Sequence, residues 1–241
     1  MLDPRIKAAV ARLGREGLER DLRALAVRRH HRRDPAGLEL ASTLVKTELT
    51  RAGYSVRLQP VLHDGTSVPN VIAERPGTER PGGRAGAERV VVVCAHYDAV
   101  EGTVGADDNA SAVAGMLAIA RAAAQSPTRA TLRFIAFAFE EEGLKGSSSY
   151  VGALDQRERE RIAGVFDLEM IGFTAEAQTL PEGIELFSEE SLPSGGDFIA
   201  VVGLSEGPEP VDALRDARHY VTPSPACRKS PNNASLLPLL S

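Results

Sequence analysis

The pattern that most constrains the fold is an alternation of apolar runs and helical segments from residue 89 onward. Residues 90–93 and 131–139 are almost continuously apolar, which is typical of strands buried on both faces of a sheet. An Ala-rich helix is predicted between them, over residues 110–124. A helix within residues 145–161, strands at 162–171 and 197–202 and a helix near 210–220 follow. Strands that alternate with helices predict a three-layer α/β/α sandwich with a mixed, mainly parallel sheet.

The N-terminal third adds two helices and two strands to this plan. Ala, Leu and Val recur at three-to-four spacing in residues 5–28 and 36–52, which predicts helices. Residues 54–59 alternate like a half-buried strand, and residues 70–73 are predicted to form its neighbour. The Pro/Gly-rich stretch from 76 to 86 predicts a loop.

Charge is distributed unevenly along the chain. Residues 1–34 contain ten Lys/Arg against five Asp/Glu, although the whole chain has a net charge of −5. The densest basic run is Arg-Arg-His-His-Arg-Arg at 28–33. Because a phosphate-binding surface would need more than one such run, we predict a solvated helix end here.

Length and composition exclude several classes of protein. The 241 residues are enough for one sizeable domain. The net acidity and the absence of Trp argue against a nucleic-acid partner. No apolar run approaches the roughly 18 residues of a membrane span, and no secretory signal follows Met1, so no membrane partner and a cytoplasmic location are expected. Two cysteines, Cys94 and Cys227, cannot form a disulfide framework or a cysteine-rich zinc module.

Acidic residues and a histidine follow three of the predicted strands. His96 and Asp98 end the first, Glu140, Glu141 and Glu142 end the second, and Asp167 and Glu169 belong to the third. The carboxyl ends of parallel strands meet at one edge of a sheet, where such folds place their sites. Asp107 and Asp108, at the start of the helix that follows the first strand, are expected at the same edge.

These residue types in this arrangement predict a metal centre. Converging carboxylates repel one another unless a cation neutralises them, and imidazole together with carboxylate oxygen suits Zn²⁺. His96 and Asp98 are two residues apart on an extended chain, so Asp98 can orient the imidazole. A carboxylate that is not a ligand can accept a proton from an attacking water. Each motif alone is more often a helix cap or a solvated turn, but their joint occurrence favours the metal centre.

Four motifs occur in order along the chain. They are His96-Tyr97-Asp98, residues 105–111 (Gly-Ala-Asp-Asp-Asn-Ala-Ser), residues 140–147 (Glu-Glu-Glu-Gly-Leu-Lys-Gly-Ser) and residues 168–172 (Leu-Glu-Met-Ile-Gly). Together they resemble the di-zinc aminopeptidases of metallopeptidase family 28, and the resemblance covers residues 35–205. It implies one peptidase domain over residues 1–241, with residues 1–34 as a basic helical segment and 221–241 as an irregular tail.

The resemblance also implies a role for each matching residue. His96 would bind one zinc ion and Asp108 would bridge two. Glu169, where the family usually has Asp, would complete the first zinc, with Asp167 as a less favoured substitute. The Asp108–Asn109 peptide bond would be cis.

The remaining implied roles concern the chemistry. Glu141 would bind the second zinc, Asp98 would support the ligands without touching the metal, and Glu140 would be the general base. The implied activity is hydrolysis of N-terminal peptide bonds in a peptide or aminoacyl substrate.

One family ligand, a histidine in a late Ser-Asp-His-x-Pro-Phe segment, has no counterpart. His219 lies within a predicted helix and lacks that context, whereas residues 234–241 resemble the approach to the segment. The sequence is therefore expected to be truncated at its C-terminus, without a final strand and a final helix. Weak or single-zinc occupancy and little peptidase activity would follow.

Two other functions stay open. Ser205 lies in a Gly-x-Ser-x-Gly pattern after a predicted strand, as in serine hydrolases, but few residues follow for the other triad members. The second function is that of a binding or structural module, carried by a catalytically impaired family member. The sequence also leaves open the substrate side chain, aminopeptidase versus carboxypeptidase or amidohydrolase specificity, and the oligomeric state.

Overall fold

The computed structural model describes residues 4–78, 88–173, 198–201 and 235–238. The chain forms two compact units, Pro4–Gly172 and Phe173–Ser241 with residues 1–3. The helices described in the first unit are α1 (Pro4–Val10), α2 (Arg15–Leu25), α3 (Pro35–Arg51), α4 (Ala112–Ala124), α5 (Lys145–Gly152) and α6 (Gln156–Arg161). Its strands are β1 (Ser55–His63), β2 (Thr66–Arg75), β3 (Val90–His96), β4 (Thr131–Phe137) and β5 (Ile162–Asp167).

The five strands form one mixed sheet in the order β1-β2-β4-β3-β5. β3 pairs in parallel with both β4 and β5, whereas β2 is antiparallel to β1 and β4. Four strands therefore run in one direction and β2 runs against them. The predicted mixed sheet is confirmed. The candidate site residues predicted at strand ends lie in or after its parallel strands.

Side-chain alternation in the central strands produces the three layers. Successive side chains of a strand point to opposite faces of the sheet. In β3, Val93 and Ala95 join the core beneath α3 and α4, whereas Val92 and Cys94 join the core that contains Tyr150 of α5. Helices therefore cover both faces, and the predicted α/β/α sandwich is confirmed.

A tight hairpin joins β1 to β2. His63 pairs with Thr66, which leaves Asp64 and Gly65 as a two-residue turn. Both turn residues have positive φ, 48° and 74° respectively, as type I′ turns require. The hairpin therefore places His63 at its tip.

The N-terminal segment differs from the prediction in two ways. The single helix predicted over residues 5–28 is two helices, because the helical structure is interrupted around Gly14 and α2 ends at Leu25. The basic run 28–33 is not a solvated helix end, since Arg29 is 1% exposed and His31 is 5% exposed. Both side chains instead contact the loops at the carboxyl edge of the sheet.

The buried amide of Asn70 joins β2 to the end of β4 and the start of α5. Its Nδ2 donates to the Gly146 carbonyl at 2.8 Å and to Gln59 Oε1 at 3.0 Å, and its Oδ1 accepts from the Ala138 N–H at 3.0 Å. Both ends of the amide are thus satisfied, as burial requires.

In the second unit, β6 (Phe198–Val201) pairs antiparallel with β7 (Ser235–Pro238). β6 confirms the strand predicted at 197–202, whereas β7 corrects the interpretation of residues 221–241 as wholly irregular. The helix predicted near 210–220, with His219, lies outside the described residues, as does Ser205. Among the described helices, none is long and apolar enough to cross a membrane. The single domain over residues 1–241 stays a prediction.

Candidate metal centre

The carboxyl ends of three parallel strands bring the predicted site residues together. His96 is the last residue of β3, Glu140 and Glu141 follow β4, and Glu169 follows β5. Asp108 comes from the short helical segment Ala106–Ser111, which precedes α4. We call these five residues the strand-end cluster.

Distances within the cluster centre on the imidazole of His96. Its Nε2 lies 3.0 Å from Asp108 Oδ1, 3.6 Å from Glu169 Oε2 and 3.8 Å from Glu140 Oε2. One ligand atom each from His96, Asp108 and Glu169 lie within 4.8 Å of one another, and the same holds for His96, Glu140 and Glu141. Two overlapping groups of three possible ligands therefore share His96.

Unpartnered polar atoms indicate that these groups fit a cation. Glu141 Oε1 and Asp108 Oδ1 are buried and accept no hydrogen bond among the described residues, although Asp108 Oδ1 lies 3.0 Å from His96 Nε2. Such atoms are costly in a folded protein unless something satisfies them. One imidazole with several carboxylate oxygens is a donor set that suits Zn²⁺. The cis peptide bond expected between Asp108 and Asn109 is present.

The carboxylate of Asp98 supports three members of the cluster. Its Oδ1 accepts from the backbone N–H of Glu140 at 3.1 Å, and its Oδ2 accepts from that of Glu141 at 3.2 Å. Oδ1 also lies 3.4 Å from His96 Nδ1, on the side of the ring away from Asp108. Phe139, with φ of 54°, bends the chain directly after β4, so that both glutamates turn toward His96. Asp98 therefore contacts three cluster residues, and its supporting role stays a prediction.

Burial and mutual repulsion change the proton affinities in the cluster. Burial, reinforced by the charge of Asp108, raises the pKa of Glu141 to about 7. Burial likewise raises the pKa of Glu140, with Asp98, Glu169 and Asp108 adding to the effect. Burial alone would lower the pKa of His96, but the neighbouring carboxylates of Asp98 and Glu169 raise it to about 11. Without a cation, a proton on His96 therefore offsets part of the negative charge.

The two candidate acids of the third strand are placed differently. An amide oxygen of Asn109 accepts from the Met170 N–H at 3.1 Å, and Asn109 Nδ2 donates to Glu169 Oε2 at 2.8 Å. Asp167 instead accepts a 3.4 Å contact from the Cys94 thiol and belongs to neither ligand group. The geometry therefore favours Glu169 over Asp167.

Asp107 and Asp108 are neighbours with different contacts. Asp107 Oδ1 accepts from the Gly172 N–H at 2.8 Å and from Ser111 Oγ at 3.0 Å. These bonds tie the loop after β5 to the start of α4. Of the pair, Asp108 is the member that faces His96, as predicted.

Arg29 is a residue of this region that sequence reasoning missed. Its guanidinium donates to the carbonyls of Tyr97 at 2.9 Å, Val104 at 2.7 Å and Gly105 at 3.0 Å. It also donates to carbonyls at the end of α2, those of Leu25 and Val27. Burial lowers the pKa of Arg29 to about 10, against the opposing effect of nearby carboxylates. Arg29 therefore ties together the two ends of the loop over residues 97–105, which begins beside Asp98 and leads into the helical segment that carries Asp108.

The close approach at Gly105 gives a testable consequence. A Cβ there would lie 2.2 Å from the Asp108 carbonyl oxygen and 2.8 Å from Arg29 Nη2, at a backbone φ of 48°. We expect Gly105→Ala to displace Asp108, to weaken zinc binding roughly 10- to 100-fold and to reduce the free energy of unfolding by roughly 1–3 kcal/mol.

Gly102→Ala is the matched control for this prediction. Gly102 also has positive φ, 84°, but a Cβ there would meet nothing within 4 Å. Urea unfolding and zinc titration of both variants separate the backbone effect from the clash. Equal losses in the two variants would contradict the proposed role of Gly105.

Comparisons with known proteins give a family match and several relatives. The sequence matches the model of peptidase family M28 over residues 70–197. Aminopeptidase YwaD of Bacillus subtilis is 46% identical over 83 residues, which are 34% of this chain and 18% of that protein. Leupeptin-inactivating enzyme 1 of Streptomyces exfoliatus is 34% identical over 139 residues, which are 57% of this chain and 30% of that protein. The chain thus spans less than a third of the length of these two curated relatives.

A solved structure of a zinc aminopeptidase has a similar fold. The structure of BSAP, a zinc aminopeptidase from Bacillus subtilis, superposes with a TM-score of 0.51 at 28% sequence identity. The superposition covers 67% of this chain and 34% of that chain.

Proposed function

Because the chain belongs to peptidase family M28, we propose that the protein is a zinc-dependent aminopeptidase that hydrolyses the N-terminal peptide bond of its substrate. One observation carries the proposal: His96, Asp108 and Glu169 converge within 4.8 Å, with Glu140 beside them. A family peptidase needs such ligands together with a carboxylate that can act as a base. The names of the relatives, among them an aminopeptidase and a zinc aminopeptidase, support the same activity.

We assign one zinc ion to His96, Asp108 and Glu169, whose ligand atoms form the first group of three. Glu141 together with Asp108 would hold a second zinc ion. The unpartnered buried oxygens of Asp108 and Glu141 support this assignment. When bound, zinc supplies Lewis acidity, which polarises the scissile carbonyl and acidifies the attacking water.

Glu140 is the general base of the proposed reaction. Its carboxylate accepts a proton from the attacking water as the water oxygen bonds to the carbonyl carbon. Glu140 then transfers that proton to the departing amine nitrogen as the C–N bond breaks. The raised pKa of Glu140 suits both steps, because a group that first accepts and then donates a proton works best when its pKa approaches the working pH. Asp98 holds Glu140 in place through the backbone N–H.

Hydrolysis of aminoacyl p-nitroanilides tests the proposal. We expect the protein to release p-nitroaniline at the low rate that the sequence predicts, to lose this activity on treatment with 1,10-phenanthroline and to recover it when Zn²⁺ is added. His96→Ala should abolish the activity, because it removes the imidazole shared by both ligand groups.

The N-acetylated form of the same substrate is the control for specificity. An aminopeptidase requires a free amino terminus, so the acetylated compound should not be cleaved. Activity that survives the chelator would contradict zinc dependence, and equal cleavage of the acetylated compound would contradict an aminopeptidase.

A further inference from the structure

Three histidines surround the carboxylate of Glu142, next to the strand-end cluster but separate from it. His30 and His31 come from the segment between α2 and α3, and His63 comes from the tip of the β1–β2 hairpin. Glu142 comes from the turn after β4. We call these four residues the histidine cluster. Three segments that are distant in sequence thus converge on one carboxylate.

The measured contacts to Glu142 are longer than strong hydrogen bonds and have the spacing of metal ligands. Two groups of three residues, His30/His31/Glu142 and His31/His63/Asp64, each bring one ligand atom per residue within 4.8 Å of one another. His31 Nδ1 lies 3.3 Å from Glu142 Oε1, and His63 Nε2 lies 3.4 Å from Glu142 Oε2. Charge-assisted hydrogen bonds of this type are usually about 2.7–2.9 Å long. A tetrahedral zinc ion with bonds of about 2.0–2.1 Å separates its ligand atoms by roughly 3.3–3.4 Å.

His30 has a different role from the other two rings. Its Nδ1 accepts the backbone N–H groups of Arg32 and Arg33, each at 3.3 Å. In the neutral ring the proton is therefore on Nε2, which faces Glu142 Oε1 at 3.4 Å. His30 holds the carboxylate by this proton, and its lone pair is not available for a metal ion.

His31 is the most buried member of the cluster. Its side chain is 3% exposed, and its Nε2 has no hydrogen-bond partner among the described residues. Burial lowers the pKa of His31, so the ring is held in the neutral form that binds metal ions. The ring also lines a cavity of about 420 Å³.

We propose that His31, His63 and Glu142 bind an additional zinc ion, with His30 holding Glu142 in place. Two imidazoles and one carboxylate are an established ligand set for zinc with one position left for water. The side chain of Glu142 is 28% exposed, so solvent can reach that position. Asp64 lies 3.7 Å from His63 Nε2 but forms an ion pair with Arg32, so we do not include it among the ligands.

A zinc ion bound at the histidine cluster would restrain the backbone around it. The ion would connect the segment before α3, the hairpin tip and the turn after β4. Glu142 directly follows Glu141, so the ion would also restrain the turn that carries the two glutamates of the strand-end cluster. Because metal binding adds to folding free energy, removal of this ion should loosen all three segments.

Zinc stoichiometry tests the inference. The wild type, His63→Ala, the double variant His31→Ala/His63→Ala and His96→Ala would be dialysed against buffered Zn²⁺ and analysed by inductively coupled plasma mass spectrometry. We expect His63→Ala and the double variant to lose about one equivalent of zinc relative to the wild type. His96→Ala should lose zinc from the strand-end cluster and keep the equivalent at the histidine cluster.

One further variant, His30→Ala, tests the role assigned to His30. His30→Ala should keep the stoichiometry but weaken the binding by roughly 10- to 100-fold, as loss of a group that orients a ligand does. His63 lies at a hairpin tip and its side chain is 19% exposed, so His63→Ala keeps the test valid if the double variant does not fold. Far-ultraviolet circular dichroism reports folding of each variant.

Either of two outcomes would overturn the inference. The first is an unchanged zinc content and affinity in folded His63→Ala. The second is loss of all bound zinc in His96→Ala, which would leave no ion at the histidine cluster. Because the proposed activity depends on His96 and not on His63, the His96→Ala activity assay reports separately on the proposed function.

Discussion

Glu140→Gln is expected to lower kcat for aminoacyl p-nitroanilide hydrolysis by about 1,000-fold while leaving the zinc content unchanged. The amide has nearly the shape of the carboxylate but cannot accept the proton of the attacking water. Of the three carboxylate oxygens measured from His96 Nε2, that of Glu140 is the most distant, at 3.8 Å. Steady-state kinetics together with metal analysis of the purified variant measure both quantities.

Glu141→Gln is the matched comparison, since it makes the same change at the next residue. Glu141 is assigned to a zinc ion, so this variant should lose zinc affinity as well as activity. The geometry also allows the opposite assignment, because Glu140 and Glu141 both belong to the second ligand group with His96. If Glu140→Gln loses zinc and Glu141→Gln keeps it, the two roles must be exchanged.

Arg29→Met is expected to reduce the free energy of unfolding by roughly 3–5 kcal/mol. The substitution keeps much of the apolar stem but leaves carbonyls near the end of α2 and at both ends of the loop 97–105, including those of Tyr97 and Gly105, without their donor. This loop, which leads from Asp98 toward Asp108, should then loosen, and zinc affinity should fall with stability. Urea denaturation and zinc titration measure the two effects.

Arg28→Met is the control, because Arg28 is adjacent in sequence and exposed. A surface substitution of this type is expected to change stability by no more than about 0.5 kcal/mol. Arg29→Lys keeps the charge but provides fewer donors in a different geometry, so it should fall between the two. A loss below about 1 kcal/mol in Arg29→Met would refute the structural role assigned to Arg29.

The layered fold and the strand-end cluster could be predicted because their information is local. A run such as residues 90–93 indicates burial on both faces wherever it occurs, and a parallel sheet then places the following residues at one edge. The positions of His96, Asp108 and Glu169 follow from this rule. Helix ends were less predictable: a break around Gly14 divides the helix predicted over residues 5–28, although the apolar spacing continues.

Arg29 and the histidine cluster could not be predicted, because their partners are distant in sequence. A run of basic residues is usually solvated, and nothing within residues 28–33 indicates a carbonyl 68 positions away. His63 had one local indication, since it precedes an Asp-Gly pair that favours a hairpin turn. That indication places His63 at a tip but does not identify Glu142 as its neighbour.

The buried amide of Asn70 has a consequence for how the protein opens. It connects the backbone of Ala138, just before the acidic turn, to the hairpin strand β2 and to Gly146 in α5. The Ala138 N–H can exchange with solvent only when this hydrogen bond opens, so we expect it to exchange as slowly as the amides at the centre of the sheet. The contact thereby links the backbone that precedes the acidic turn to the core.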